Sequence, residues 1–582
     1  MRRILLLLAL LPLAAHAGIK LEVKGVDDPL RHAVVSSVQL NQYASRQVTE
    51  AQVRRLYGQA EDQARKALQP YGYFDAQVTG ALTREGSNWR VVLSVDPGQP
   101  VRVAQLDIEL EAKARKLPEV HHAVGNFHPH KGEVLDQGQY TESRDAISAA
   151  LTAVGYLDAR LVTHRVEVYR ADRRAVIKLA WDLGRRYRIG RIEFEGSQFK
   201  PGFLKRYLPF HSGDWFSQAE LLALQQALIG ADYFAAVNVL PQMEGAQDGH
   251  IDIKLQLVPA KRSIYTGGPF VGTDVGVGVR FGLERRWVNR SGHKWQNELI
   301  VAQRLKSVST QYAIPMPGPN QRSFNVGGTW RDADTHSSHS RTLDLVGNET
   351  RQWHGWTRTL GVHLLAGTFT VGQRGDEPRD APGVQHGRSE LVFGEASLLK
   401  KQADNPDFVR DGWSLSLAGR STAGSLLADT RYSQILADAR WIQALGQRNR
   451  LILRGSAGSI WVGDFSRLPP QLRFFAGGAR SVRGYGYQAI GPRNDHDRVI
   501  GGRNLLVTSS EIEHYFGRKW GMAAFVDAGN AFNGHDYRPR IGAGLGLRWR
   551  SPVGMIRVDL GVPVHDDRTH GVQLHLVIGP DL

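Results

Sequence analysis

The sequence lacks cysteine altogether, and it has no long apolar run beyond its first 17 residues. Without cysteine there is no disulfide framework, so stability must come from packing or from a closed sheet. No later stretch provides the roughly 18 uncharged apolar residues that a membrane helix needs. Any attachment to a membrane must therefore use β-strands, which cross a bilayer only as a closed barrel.

Residues 1–17 have the features of an export signal. Arg2 and Arg3 precede an apolar run that ends at Leu13, and small residues surround a cleavage site after Ala17. We expect cleavage between Ala17 and Gly18, followed by export of the mature chain.

The composition is basic and rich in glycine and tryptophan. The net charge of +16 falls to +14 without Arg2 and Arg3, and the chain has 63 glycines and 13 tryptophans. A basic balance can indicate nucleic-acid binding, but no nucleic-acid motif accompanies it. A charged barrel lumen and contacts with lipid headgroups explain the charge better. We therefore expect no nucleic-acid partner.

Residues 18–261 contain a sequence repeat. The segment 96–98 (Asp-Pro-Gly) recurs as 182–184 (Asp-Leu-Gly), an offset of 86 residues. A turn motif recurs around Tyr73, Tyr156 and Tyr233, with spacings of 83 and 77 residues. Three units of about 80 residues account for both signals. Their predicted bounds are 18–97, 98–184 and 185–261.

Each unit has the pattern of a small βααββ domain: an alternating strand, two helical stretches, the turn, and two further strands. In the third unit, Ser217 followed by Glu220 forms the capping box that starts a helix. Such a sheet leaves edge strands to which another chain can add a strand. The alternative is that the units are only spacers.

From about residue 262 onward, segments of roughly ten residues alternate with period two. In the segment from Met555 to Val564, Ile556 and Val558 share one face while Arg557 and Asp559 share the other. A soluble β-sandwich would alternate in the same way. Abundant glycine and tryptophan and long polar connections such as 372–387 favour a transmembrane barrel instead. At about 20 residues per strand and connection, residues 262–582 provide close to 16 antiparallel strands.

One segment interrupts this alternation. Residues 472–485 are too long and too glycine-rich for a strand, and they place Arg483 at a tight turn. The motif Val482-Arg483-Gly484-Tyr485 resembles the lumen loop of the outer-membrane assembly and two-partner secretion superfamily, which includes BamA and FhaC. The alternative is a solvated arginine on an external loop.

In that superfamily the loop folds back into the barrel, and its arginine pairs with acidic residues on the inner wall. The strand with Asp527 and the strand with Glu511 and Glu513 resemble the matching wall strands. Glu511 and Glu513 share a face at period two, so either could reach Arg483. We favour Glu513 because an apolar residue precedes it, as in the family pattern.

Within the superfamily, the chain is similar to the TamA family, the outer-membrane subunit of the translocation and assembly module. Three repeats agree with that family, as do segments 186–198, 468–470, 548–554 and 578–582. The resemblance implies a bacterial outer-membrane barrel with its N-terminal arm in the periplasm. It also implies unfolded outer-membrane client proteins such as autotransporters, contact with outer-membrane lipid, and a TamB-like partner anchored in the inner membrane.

The resemblance further implies that the barrel opens sideways between its first and last strands. We predict a weak seam with Gly276 and Gly278 in the first segment, 270–285, and Leu576 and Pro580 at the end. Glycine weakens strand pairing, and Pro580 has no amide hydrogen to donate. The alternative function is a two-partner secretion transporter with one dedicated substrate, which should have two repeats and a plug helix.

No feature indicates covalent chemistry. The sequence has no nucleophile elbow and no recognisable catalytic triad. The histidines at 121, 122, 128 and 130 lack accompanying cysteines or a helical His-Glu pair. We therefore expect no enzyme activity, metal or cofactor.

Overall fold

The computed structural model describes residues 18–44, 46, 48–86, 88–316, 322–335, 337–372, 378, 380–405, 408–424, 428–551, 554–564 and 571–579. The predicted export signal with Ala17, and Pro580 at the predicted seam, lie outside these residues. The chain forms two compact units. The first comprises residues up to 193 with 210–223 and 239–255, and the second comprises 194–209, 224–238 and 256–582.

The first repeat folds as a βααββ unit. Its elements are β1 (Ile19–Lys24), α1 (Leu30–Ser37), α2 (Gln39–Gln42), α3 (Glu50–Leu68), β2 (Gln77–Glu85) and β3 (Asn88–Asp96). The central strand β3 pairs parallel with β1 and antiparallel with β2. Helix α3 begins where Thr49 accepts from the Gln52 amide at 3.3 Å and the Gln52 side chain accepts from the Thr49 amide at 3.0 Å.

The second repeat has the same order. Its elements are β4 (Arg102–Glu109), α4 (Ala112–Arg115), α5 (Pro118–Gly125), α6 (Gln137–Ala153), β5 (Arg160–Tyr169) and β6 (Arg174–Asp182). Its sheet order, β4-β6-β5, matches that of the first repeat. Ile147 and Leu151 of α6 are fully buried with Ile177 of β6, because the apolar face of the helix covers the sheet.

The third repeat completes the series. Its elements are β7 (Arg188–Glu195), α7 (Pro201–Leu204), a 3₁₀ turn (Lys205–Tyr207), α8 (Gln218–Gly230), β8 (Phe234–Gln247) and β9 (His250–Pro259). The sheet order is β7-β9-β8. Ser217 Oγ accepts from the Glu220 amide at 3.4 Å, which is the predicted N-terminal cap of α8. The prediction of three βααββ units is confirmed.

The rest of the chain is one antiparallel sheet of 16 strands in which each strand pairs with the next. The strands are β10 (Ser263–Gly272), β11 (Gly276–Arg285), β12 (Lys294–Ala302), β13 (Leu305–Pro315), β14 (Ser323–Asp334), β15 (Ser338–Trp353), β16 (Trp356–Val371), β17 (Gln385–Ala403), β18 (Gly412–Thr422), β19 (Tyr432–Leu445), β20 (Asn449–Val462), β21 (Asn504–Tyr515), β22 (Trp520–Phe532), β23 (Arg540–Ser551), β24 (Gly554–Val564) and β25 (Gln573–Gly579). The predicted 16-stranded barrel is confirmed. Among the described residues, no ladder joins β10 to β25, so the barrel is nearly closed.

The strands alternate between two faces as predicted. In β24, Arg557 and Asp559 are buried on the inner face, while Leu560 is 53% exposed and Val562 41% exposed on the outer face. This arrangement places polar side chains in the lumen and apolar side chains outside. None of the helices among the described residues is both long and apolar enough to span a bilayer.

The prediction for the first barrel segment was wrong. Residues 270–285 are not one strand: β10 and β11 form a hairpin closed by Gly272 and Gly276. Gly276 has φ +81°, a value that glycine adopts without strain and that allows the tight turn. Gly276 and Gly278 therefore lie on the second strand, and the edge strand is β10, which contains Gly267, Gly268 and Pro269.

Candidate functional site

The connection between β20 and β21 lies against the inner wall of the barrel. Its residues 463–503 fold on themselves through three antiparallel bridges, between residues 474 and 502, between 476 and 490, and between 493 and 499. Val482 is fully buried, and Arg483 and Tyr485 are each 2% exposed. The alternative of a solvated arginine on an external loop is excluded.

Three glycines let the tip of this loop approach the wall closely. A Cβ atom at Gly542 on β23 would collide with the Arg483 carbonyl oxygen, and one at Gly561 on β24 would lie 2.6 Å from the Gly484 nitrogen. Gly484 itself has φ +94°, and a Cβ there would lie 2.7 Å from the Val562 backbone. Backbone therefore packs on backbone at this point, which only glycine permits.

The guanidinium of Arg483 is satisfied on every side. Its Nε and Nη2 donate to the two carboxylate oxygens of Asp527 at 2.7 and 2.9 Å. Its Nη1 donates to Glu511 at 2.6 Å and to Asp559 at 3.1 Å. The guanidinium carbon lies 3.5 Å from the centre of the Phe525 ring. Paired charge-assisted hydrogen bonds and a cation–π contact offset the cost of burying the charge.

A second arginine extends this network toward the end at which the chain enters the barrel. Arg548 on β23 donates to Glu511 at 2.6 Å, to Glu513 at 2.8 Å and to Asp559 at 2.6 Å. Arg450 on β20 donates to Glu513 at 2.5 Å and to the Val409 carbonyl oxygen at 2.5 Å. The charges thus alternate from the loop tip to the connection between β17 and β18.

The preference for Glu513 as the partner of Arg483 was wrong. Glu511 and Glu513 both face the lumen, but the register sets Ser509 opposite Asp527 and Glu513 opposite Ala523. Because the Arg483 guanidinium binds Asp527, it lies beside Glu511 and donates to it. Glu513 lies one inward-facing position farther along β21, where Arg548 and Arg450 contact it.

Sequence reasoning missed two residues that bind the loop tip. Asp559 pairs with both Arg483 and Arg548. His575, on the last strand, accepts the Gly484 amide hydrogen through Nε2 at 3.0 Å. The alternation that set Arg557 and Asp559 on one face was the available signal for Asp559. The same alternation in the last strand, where His575 lies on the face opposite Leu574 and Leu576, was the available signal for His575.

The structure separates the residues that were predicted to share a seam. Leu576 lies on the edge strand β25, whereas Gly276 and Gly278 lie on β11. Asp527 lies on β22, opposite Ser509.

Among the described residues, no group of histidine, cysteine, aspartate and glutamate side chains is arranged to hold a metal ion. The ion pairs of Arg483 hold the loop 463–503 against the barrel wall.

The nearly closed barrel of 16 strands agrees with the sequence comparisons. The Omp85 superfamily domain matches residues 272–581, more than half of the chain. The chain belongs to the Omp85 superfamily. A POTRA domain described as TamA domain 1 matches residues 20–97, and a POTRA domain described as a surface antigen variable number repeat matches residues 187–259.

Relatives within the Omp85 superfamily are distant in sequence. The chain is 21% identical over 552 residues to the outer membrane protein assembly factor BamA of Neorickettsia risticii (strain Illinois), covering 88% of this chain and 72% of that protein. It is 20% identical to BamA of Nitratidesulfovibrio vulgaris, covering 65% of this chain and 49% of that protein.

A crystal structure of BamA from Haemophilus ducreyi lacking POTRA domains 1–3 has the same fold. Its TM-score is 0.66 at 17% identity, with 82% of this chain and 99% of that one covered. The chain is thus an Omp85 superfamily member with POTRA domains ahead of its barrel. Its barrel is consistent with the bacterial outer membrane, and POTRA domains are typically periplasmic.

Proposed function

We propose that this protein is an assembly and translocation factor of the TamA type. It inserts or secretes outer-membrane β-barrel proteins such as autotransporters through lateral opening of its barrel, and it performs no covalent chemistry. The observation that carries this proposal is the edge between β10 and β25, where no ladder pairs the strands among the described residues. An unpaired edge can accept a client strand.

Two further observations favour this function over export of one dedicated substrate. The repeat number is three, and the TamA POTRA domain 1 model matches the first repeat. The proposal includes a TamB-like inner-membrane-anchored partner, unfolded clients that reach the barrel along the POTRA arm, and contact with outer-membrane lipid. Two-partner secretion remains the second candidate because the same superfamily includes it.

Crosslinking across the edge tests lateral opening in this cysteine-free background. Single cysteines at positions 264–268 of β10 are combined with single cysteines at 575–577 of β25, and assembly of an autotransporter client is measured in cells. We expect some pairs to crosslink, and we expect oxidation of those pairs to stop assembly until a reductant is added.

The matched control uses cysteines at Val279 and Val301, which are register partners on β11 and β12 and are both exposed on the outer face. That crosslink joins strands that are already paired, so it should leave assembly unchanged. Normal assembly by protein locked between β10 and β25 would refute lateral opening and move the function to the POTRA arm. Export of one substrate only, with no effect on other barrels, would favour two-partner secretion.

A further inference from the structure

The outer face of the barrel has two adjoining grooves far from the unpaired edge. Their volumes are about 770 Å³ and about 820 Å³. Leu360, Ala396, Gly419 and Ile435 line both grooves. These four residues form one register row across β16, β17, β18 and β19, so the grooves meet along that row.

Side-chain size explains the grooves. The row places Ala396 and Gly419 between Leu360 and Ile435, which are 42% and 55% exposed on the outer face. Small residues between large ones leave a depression in an apolar wall. One groove extends to Trp461 at the end of β20, and the other extends to Phe532 at the end of β22. The two grooves therefore share the row from Leu360 to Ile435 and end on different strands.

Positively charged side chains lie beside the Leu360 end of this shared row. Arg351 lies directly opposite Arg358 on the outer face of β15 and β16. Arg322 donates to Glu349 at 2.7 Å, and Arg358 reaches the same carboxylate at 3.5 Å. Two arginines thus share one carboxylate. Among the described residues, Arg351 forms no ion pair and the buried Nε of Arg358 has no hydrogen-bond partner.

Aromatic side chains surround the same end of the wall. Trp353 and Trp356 are register partners in the hairpin between β15 and β16. The Lys400 amine lies 5.6 Å from the ring centres of both Trp356 and Trp413. Tryptophan and lysine occupy the headgroup level of a bilayer, where one end of the side chain is apolar and the other is polar.

We propose that this surface binds one anionic phospholipid from the leaflet at the end where the chain enters the barrel. The phosphate lies between Arg351 and Arg358, and the two acyl chains occupy the two grooves. Two like charges placed directly opposite destabilise a sheet, and an anion between them removes that repulsion. Arginine forks bind phosphate oxygens in pairs. Charge complementarity and the paired grooves thus identify the occupant as a phospholipid. This site does not depend on lateral opening.

The first test measures headgroup selectivity. The full-length protein is delipidated in detergent and titrated with dioleoylphosphatidylglycerol or dioleoylphosphatidylcholine, and native mass spectrometry counts the bound lipid. We expect one tightly bound phosphatidylglycerol per chain, and about tenfold weaker binding in the R351Q/R358Q variant. R518Q removes an exposed arginine at the same end of the barrel and should bind like the parent chain. Equal binding by R351Q/R358Q and R518Q would overturn the proposal.

The second test fills a groove. A437L/A457L adds bulk at two register partners that line the second groove, whereas A524L adds the same bulk to the outer face of β22, outside both grooves. We expect only A437L/A457L to lose phosphatidylglycerol. Heat-modifiable electrophoretic mobility shows whether each variant is folded. If R351Q/R358Q does not fold, the single variant R351Q repeats the charge test. Loss of client assembly with unchanged lipid binding would overturn the proposal in favour of a protein occupant.

Discussion

Arg483 shows how a single residue can hold a long loop. The N–H groups of its guanidinium donate to carboxylates on three different strands: Asp527 on β22, Glu511 on β21 and Asp559 on β24. One side chain therefore ties the loop to three strands of the wall. Lysine could not do this, because its ammonium lacks the planar fork that matches several carboxylates.

Substitution of Arg483 should weaken the barrel without preventing its insertion. Arg483→Ala leaves Glu511 and Asp559 with Arg548 alone, and Asp527 with Arg454 at 3.6 Å. Removal of one partner of a buried pair costs about 3–5 kcal/mol. We expect the protein to be present in the outer membrane, to lose its compact electrophoretic form at lower temperature, and to support less client assembly. Arg483→Lys should be intermediate.

Arg538 provides the control for this experiment, since its side chain is 83% exposed on a connection between strands. Arg538→Ala should behave like the parent chain in both assays. Client assembly that is unchanged in Arg483→Ala would show that the loop contact has no part in function.

At the scale of elements, the recurring tyrosine turn connects each repeat to the next domain of the chain. Gly72 and Gly155 occupy the same place in the first two turns, with φ of +85° and +101°. Their carbonyl oxygens accept from the Val101 and Tyr187 amides, each at 2.8 Å. The motif that identified the repeats is therefore also the joint between them.

The third turn is modified where it meets the barrel. Asp232, with φ +61°, replaces the glycine, and its carboxylate accepts from Arg286 Nε at 2.8 Å. The Tyr233 hydroxyl donates to the Gly292 carbonyl oxygen at 2.5 Å. Burial raises the pKa of Tyr233 well above its usual value, so the hydroxyl keeps the proton that it donates. Phe203 packs so closely on Gly292 that no Cβ would fit there.

Gly72→Ala should loosen the first joint. The new Cβ would lie 2.7 Å from the Leu135 carbonyl oxygen, and the left-handed backbone costs about 1–2 kcal/mol for a residue other than glycine. We expect faster hydrogen exchange at the Val101 amide, measured by mass spectrometry on the full chain. Gly58→Ala, in open space on α3, should leave that exchange unchanged. Equal exchange in both variants would contradict the role of the turn.

At the scale of the whole molecule, the barrel wall has one boundary without a ladder among the described residues. Elsewhere each strand has partners on both sides, and the longest pairings join β15, β16 and β17. The edge strand β10 contains Gly267, Gly268 and Pro269, and Pro269 cannot donate to a neighbour. Stability is therefore unevenly distributed around the wall.

Hydrogen exchange in lipid nanodiscs should reveal this uneven stability. Amides of β10 and β25 should exchange faster than amides of β16, because only one side of each edge strand is paired. Bilayer burial protects all three strands, so β16 serves as the internal reference. Equal protection of β10, β25 and β16 would mean that the boundary is closed by pairing in the membrane.

Much of this architecture was predictable because its signals are local. Period-two alternation set Arg557 and Asp559 on the inner face, the 86-residue offset identified the repeats, and the length from residue 262 matched 16 strands. The first barrel strand was missed because Gly267, Gly268 and Pro269 obscure its alternation. Its misplacement moved the predicted seam by one strand.

The sequence by itself determined the units, the strand faces and the motif that places an arginine in the lumen. Only the tertiary structure decided that Arg483 meets Glu511 and Asp559 rather than Glu513, and that His575 reaches Gly484. The physical reason is register: which side chains are level across a sheet depends on pairing between strands far apart in sequence. The outer grooves arise in the same way, because Ala396, Gly419 and Ile435 form a row only when three strands align.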